Sequence, residues 1–240
     1  MINTYTGIDL KPPLFEIGLK GYIYGKEALK LAKAADNISK KYGVSIIFDP
    51  QYVDIPKIAE ETDNLYVFAQ HMDSVEIGRG IGSILPEALK EAGVVGTILN
   101  HAERRVKLSE IYQTIKRADD VGLATLVCAD SPQEAAAVAQ LNPNIVLAEP
   151  PQLIGTGKPV GKLLKDFISK TTALVKKINP EIIICSGAGI RNADDIKKII
   201  RLGAEATGST SAILKADDPA KKLEEMIKAL KEVWLETHPN

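Results

Sequence analysis

Several shortages in this sequence each remove a class of function. Its 240 residues include two cysteines and three histidines. Cys128 and Cys185 end the apolar runs TLVC and IIIC. They read as buried, reduced thiols of a cytoplasmic protein, because free cysteine packs as a small hydrophobe; spacing alone does not establish a disulfide. His71, His101 and His238 stand at no ligand spacing, which argues against a metal centre. No run approaches the ~20 apolar residues that cross a bilayer. The start, residues 1–13, carries Asp9, Lys11 and two prolines in place of the apolar core of a signal peptide. Charge of one sign is also missing: 30 Lys and Arg meet 31 Asp and Glu, leaving a net −1. Nothing in that balance selects for nucleic acid or an anionic membrane, so an anionic ligand must be held by local features.

What is present is ordinary in amount, 45% hydrophobic and 25% charged, and regular in arrangement. Short β-branched runs alternate with helical patterns almost from end to end. The expected strands are 15–20, 44–48, 65–70, 96–100, 124–128, 145–148, 182–186 and 206–208. Most are continuously apolar, as parallel strands buried on both faces are. The eighth, in AEATGST, is hardly apolar and is placed by its position in the repeat. The helices between have readable ends. Residues 26–41 carry Leu29, Ala32, Ala35 and Ile38 on one face and stop at Gly43. Ser131-Pro132-Gln133-Glu134 forms a capping box with proline at the first helical position. Asn192 precedes Asp194 and Asp195, and Asp218-Pro219 opens a last helix running to about residue 236. Repeated βα units imply right-handed crossovers and a parallel sheet. Eight of them in 240 residues favour a single closed (β/α)8 barrel over an open doubly wound sheet, with 1–13 as lead-in and 237–240 as a frayed tail.

In such a barrel, function sits where strands end. The first strand ends at Lys20 and the fourth at Asn100-His101-Ala102-Glu103-Arg104-Arg105. The sixth ends at Glu149-Pro150-Pro151, followed by Gln152-Leu153-Ile154-Gly155-Thr156-Gly157. The seventh ends at Ser186-Gly187-Ala188-Gly189, and the eighth near Thr210-Ser211-Ala212. A cation, an imidazole, a carboxylate and two small-residue loops thus meet at one rim. Glycine turns let backbone N–H groups approach an anion, so the last two loops suit a phosphate, although such a turn can equally be a tight bend. Glu149 reads as a general base or as a satisfied rim carboxylate. His101 reads as a structural residue, a ligand or an electrophile. Lys20 reads as a solvated cation or as a clamp on developing negative charge. Together the functional readings describe proton abstraction beside a carbonyl, with 149–157 as a lid that excludes water.

The stretches NHAERR, AEPPQLIGTG and CSGAGI resemble triosephosphate isomerase in its shorter archaeal form, with support from FDPQYVDI, FAQHMD and ILPEALKEAGVVGTILNHAERR. The resemblance runs from about residue 14 to 230. That family is itself a worked case of pKa tuning and of lid closure. The resemblance implies interconversion of dihydroxyacetone phosphate and glyceraldehyde 3-phosphate, without cofactor or metal. It makes Glu149 the base, His101 the neutral electrophile and Lys20 the cationic stabiliser. Glu103 becomes the carboxylate that pairs with basic groups under the site. Ile154 and Gly155 of the lid, with Gly187, Gly189, Thr210 and Ser211, would hold the phosphate. Family members are dimers or tetramers, so a homo-oligomer is implied, with the loop 73–83 in the docking position.

Three residues depart from the family pattern. Gly18 stands where an asparagine lines the pocket two residues before the lysine. Ala102 replaces the serine after the histidine, and Ala212 stands in place of a glycine after an eighth strand that is less apolar than usual. Two other readings stay open: a weakened or silent barrel that only binds a sugar phosphate, motivated by Gly18 and the altered eighth strand, and a different phosphate-binding barrel enzyme, which would share the glycine turns after strands seven and eight.

Overall fold

A computed structural model describes residues 5–150, 162–187 and 189–239; the side chains of 162 and 163 are not described. The strands are β1 Leu14–Gly18, β2 Ser45–Asp49, β3 Leu65–Ala69, β4 Gly96–Leu99, β5 Ala124–Ala129, β6 Ile145–Ala148, β7 Ile183–Ser186 and β8 Ala206–Gly208. The helices are α1 Gly25–Tyr42, α2 Ile55–Glu61, α3 Pro86–Glu91, α4 Leu108–Val121, α5 Pro132–Ala139, α6 Lys162–Ile178, α7 Ala193–Arg201, α8 Ser211–Leu214 and α9 Pro219–Thr237. The strands pair in parallel in chain order, and β8 returns to β1 to close the barrel. The short β8 keeps its register there, with Ala206 opposite Leu14 and Gly208 opposite Glu16.

The helix ends follow their local chemistry. Gly43 takes φ 59 and its N–H reaches Ser39 O at 2.8 Å, which ends α1 in a left-handed residue that costs glycine little. Asn192 and Asp218 accept hydrogen bonds from the N–H groups of Asp195 and Lys221 at the starts of α7 and α9. The Ser131 box forms by half. Ser131 Oγ accepts from Glu134 N, but Glu134 Oε2 accepts from the N–H of Asp130, one residue early. The reason is that Glu134 Oε1 is drawn toward the fourth strand end by Asn100 and Arg105. At the C-terminus α9 reaches Thr237, and the His238 ring stacks on Trp234 at 3.7 Å. Thr237 and His238 are therefore anchored, not frayed.

Two apolar layers hold the fold. The outer one lies between strands and helices and includes Phe15, Ile17 and Ile46 with Leu31, Ile115 and Leu230. The inner one fills the barrel with Leu14, Ile47, Phe68, Leu126, Ile145 and Ile183, and the free thiols Cys128 and Cys185 belong to it. Alternation along each strand sorts the two sets. On β1 it turns Leu14, Glu16 and Gly18 inward, and on β2 it turns Ile47 and Asp49 inward. Toward the C-terminal ends of the strands the interior thus changes from apolar to acidic. Tyr5 and Leu10 of the lead-in cover the inner layer at the other end.

Candidate active site

A pocket of about 690 Å³ opens at the C-terminal rim. Lys20, His101 and Glu149 line it, as do Gly18, Gly187, Gly189, Thr210 and Ser211. The sequence-predicted site residues therefore come together, except Ile154 and Gly155, which with the rest of 151–157 in the expected lid lie outside the described residues.

Two strand ends leave the sheet earlier than the apolar runs suggest. Lys20 and Asn100 both adopt left-handed backbone, φ 48 and φ 61, a conformation sparsely populated by residues with a Cβ. Such conformations persist where neighbours hold them. The carbonyl of Lys20 accepts hydrogen bonds from the Gln51 and Gln70 amides, and Gln70 also donates to the Asp49 carbonyl at 3.0 Å. The Asn100 side chain is buried. Its amide donates to Cys128 O at 3.0 Å, and its Oδ1 accepts from Val106 N at 3.2 Å. Arg105 ties the Asn100 carbonyl to Glu134 and Asp130. His101 is thereby carried on a turn fixed from both sides.

The Lys20 ammonium reaches into the pocket and meets Glu103 Oε1 at 2.6 Å. Burial opposes its charge, but Glu103, Glu149 and Glu16 outweigh that and hold its pKa above the ordinary lysine value. Glu103 is affected in the opposite direction. Its own desolvation is outweighed by the Lys20 hydrogen bond and charge, so it stays ionised below the usual carboxylate range. Burial, then the nearby Lys20 charge, push the His101 pKa down, so the ring is neutral in the physiological range. The backbone N–H of Glu103 donates to its Nδ1 at 3.1 Å. With Nδ1 accepting, the neutral ring carries its proton on Nε2 and can donate it to an oxygen in the pocket.

Glu149 follows β6, with its N–H bonded to Ala129 O at 3.0 Å. Desolvation, followed by the Glu16 charge, raises its pKa to about 7, against the opposing pull of Lys20 and the Gly187 N–H. A Cβ at Gly187 would lie 2.5 Å from Glu149 Oε1, so glycine there lets the carboxylate sit against the β7 turn. On the far wall are Gly189, at φ 77, and the first turn of α8. Ser209 anchors that wall: its N–H donates to Glu16 O at 3.1 Å and its hydroxyl to Ile190 O at 3.1 Å.

The family model described as triosephosphate isomerase matches residues 16–230. The chain belongs to the triosephosphate isomerase family. A triosephosphate isomerase of Methanobacterium bryantii is 46% identical over 217 residues, covering 90% of this chain and 96% of that one. One from Sulfolobus acidocaldarius is 42% identical over 221 residues, covering 91% and 95%. One from Methanothermus fervidus is 39% identical over 217 residues, covering 90% and 97%. The barrel that joins family members is the one observed here, closed and wholly parallel.

Against the triosephosphate isomerase pattern, Gly18 and Ala212 both border the pocket and Ala102 lies in the turn after His101. Sequence reasoning missed Glu16 and Asp49, two acids on inward faces under the pocket, and Gln51 and Gln70, which hold the Lys20 backbone. The acids left a legible trace as charged residues in LFEIG and SIIFD. The glutamines left none, because their partner is a carbonyl.

Proposed function

We propose that this chain interconverts dihydroxyacetone phosphate and D-glyceraldehyde 3-phosphate, a step shared by sugar breakdown and synthesis, using Glu149, His101 and Lys20. The carboxylate of Glu149 takes the proton from the carbon next to the substrate carbonyl. His101 donates its Nε2 hydrogen to the carbonyl oxygen as charge moves there, and Lys20 stabilises the resulting enediolate. Glu149 then returns the proton to the neighbouring carbon while the hydroxyl on the first carbon gives its proton to His101 Nε2 and becomes the new carbonyl, so both groups are restored and the substrate is isomerised with no net gain or loss of atoms. The reaction needs no cofactor. The wall formed by Gly187, Gly189, Thr210 and Ser211 holds the phosphate, joined by Ile154 and Gly155.

What carries this reading is convergence. A base with pKa about 7, a neutral imidazole with its proton on Nε2 and a lysine face one pocket, in a chain of this family. Neither the silent barrel nor a different phosphate-binding enzyme has an observation in its favour. Exposed Ile77 and Ile81 in the loop 73–83 support a homo-oligomer joined through that loop. The two buried free thiols suit the reducing cytoplasm.

The test is isomerase turnover of glyceraldehyde 3-phosphate in a coupled assay, beside Glu149→Gln. The parent should turn over, and the variant should lose roughly 10²–10⁴-fold in kcat, the usual share of a general base. A folded parent without turnover overturns the reading.

A further inference from the structure

Two glycines, one on the first strand and one on the eighth, border one side chain. Glu16 points into the barrel between Gly18 of β1 and Gly208 of β8. A Cβ at Gly18 would lie 2.7 Å from Glu16 Oε1 and 3.0 Å from Asp49 Oδ2, and a Cβ at Gly208 would lie 2.5 Å from Glu16 Oε2. The space that a side chain at position 18 would enter is therefore filled by two carboxyl groups. Both crowd one buried space, where two negative charges would repel, so the space favours keeping one carboxyl protonated; burial pushes both pKa values up, and at Asp49 the Glu16 charge adds to the rise. Asp49 is only 3% exposed, and its Oδ1 has no hydrogen-bond partner among the described residues. A neutral acid tolerates an unpartnered buried oxygen far better than a carboxylate does. Glu16, by contrast, is open to the pocket.

We propose that Asp49 and Glu16 share one proton and that this acid–carboxylate pair stands in for the asparagine side chain missing at position 18, forming a polar pocket wall that positions Glu149 and the substrate. A carboxamide offers a donor and an acceptor in one unit, and a hydrogen-bonded carboxyl pair offers the same. The difference is charge. The pair carries one negative charge, on the member that faces Glu149 and Lys20. The buried, unpartnered Oδ1 of Asp49 makes that residue the better place for the proton. Burial raises both carboxyls, and the Glu16 charge adds to the rise at Asp49. The same charge raises Glu149. The other titratable groups facing Glu149 are Lys20 just after β1, Cys128 on β5 with Asp130 just beyond it, and Cys185 on β7, with His101 lining the same pocket. Both thiols are held neutral by burial. A pocket built this way binds its base in a more proton-hungry state than a carboxamide would.

This rests on the isomerase reading for its kinetic consequence, so one readout is independent of turnover. Infrared spectra of the unliganded parent at pH 8 should show the C=O stretch of a protonated carboxyl, lost in Asp49→Asn. A parent without that band overturns the shared proton, whether or not the protein is an isomerase. The kinetic readout is kcat/KM against pH. Glu16→Gln removes a negative neighbour of the base, so the acid limb should move about one pH unit lower. An unmoved limb overturns the role in positioning Glu149. Gly18→Asn in the parent should lose tenfold or more in kcat/KM because its Cβ meets both carboxyls, and Glu16→Ala added to it should recover most of that loss. A Gly18→Asn variant as active as the parent would show that the two do not compete for one space. If Glu16→Gln does not fold, the Glu16→Ala, Gly18→Asn double variant carries the pH comparison with the same expected shift.

Discussion

The chemistry at Glu149 is decided within a few ångströms. Removal from water and the charge of Glu16 make it a stronger base than a surface glutamate, with a pKa of about 7. The sign of the pH dependence follows. The reaction needs the carboxylate, so protonation switches it off. In the parent, kcat/KM should be flat above pH 8, bend near 7 and fall about tenfold for each further unit of acidity. A profile that stays flat down to pH 5 would place the base elsewhere. Position matters as much as protonation. At Gly187 even a methyl group would come within 2.5 Å of Glu149 Oε1, closer than non-bonded atoms tolerate. Gly187→Ala should therefore push the carboxylate aside and lower kcat by roughly 10²-fold, the loss expected of a displacement near 1 Å. Its melting temperature should change little, because the clash is relieved into the pocket. Unchanged kcat would mean that the carboxylate does not work from the place it occupies here.

At the scale of elements, the strands and most helix ends could be read directly. Parallel strands buried on both faces leave continuous apolar runs, and Gly43, Asn192 and Asp218 mark helix ends by local chemistry. What could not be read was local structure imposed from a distance. Lys20 leaves β1 in a left-handed conformation because Gln51 and Gln70, 31 and 50 residues away, take its carbonyl. Nothing in the sequence IGLKG announces this. The Ser131 box shifts by one residue because Glu134 also serves Asn100 and Arg105, which belong to another strand end. These two cases make opposite predictions. Asn192→Ala removes a purely local cap from α7 and should cost about 1 kcal/mol in denaturant unfolding, with kcat/KM unchanged. Gln70→Leu removes one of two donors from each of the Lys20 and Asp49 carbonyls, so it should cost about 0.5–1.5 kcal/mol and also lower kcat/KM. Equal catalytic effects in the two variants would contradict the idea that Gln70 holds the lysine end of the site.

For the whole molecule, the barrel was legible from the count and order of βα units. The acidic inner rim was not, because Glu16 and Asp49 each look like a polar break in an apolar strand until closure brings β1, β2 and β8 together. Closure also supplies a probe of the molecule's cooperativity. Cys128 and Cys185 are 5% and 1% exposed, lie on β5 and β7, and have thiol pKa values pushed up by burial. The thiolate is the reactive form, so neither should react with an aromatic disulfide reagent from the folded barrel. Labelling must wait for opening, and in a domain of ordinary stability it should run at least ~10³-fold slower than in the unfolded chain. The route of opening can then be read from a ligand. If the thiols become exposed only when the whole barrel unfolds, the pocket is lost in the same event. An enediolate-like phosphate analogue at one hundred times its dissociation constant should then slow labelling about 100-fold, by mass action on the folded state alone. Labelling slowed by the analogue to that extent identifies the barrel and its rim as one cooperative unit. Labelling indifferent to the analogue would mean that the thiols become exposed in an opening that leaves the pocket able to bind, so that the strands carrying them and the rim are not one cooperative unit.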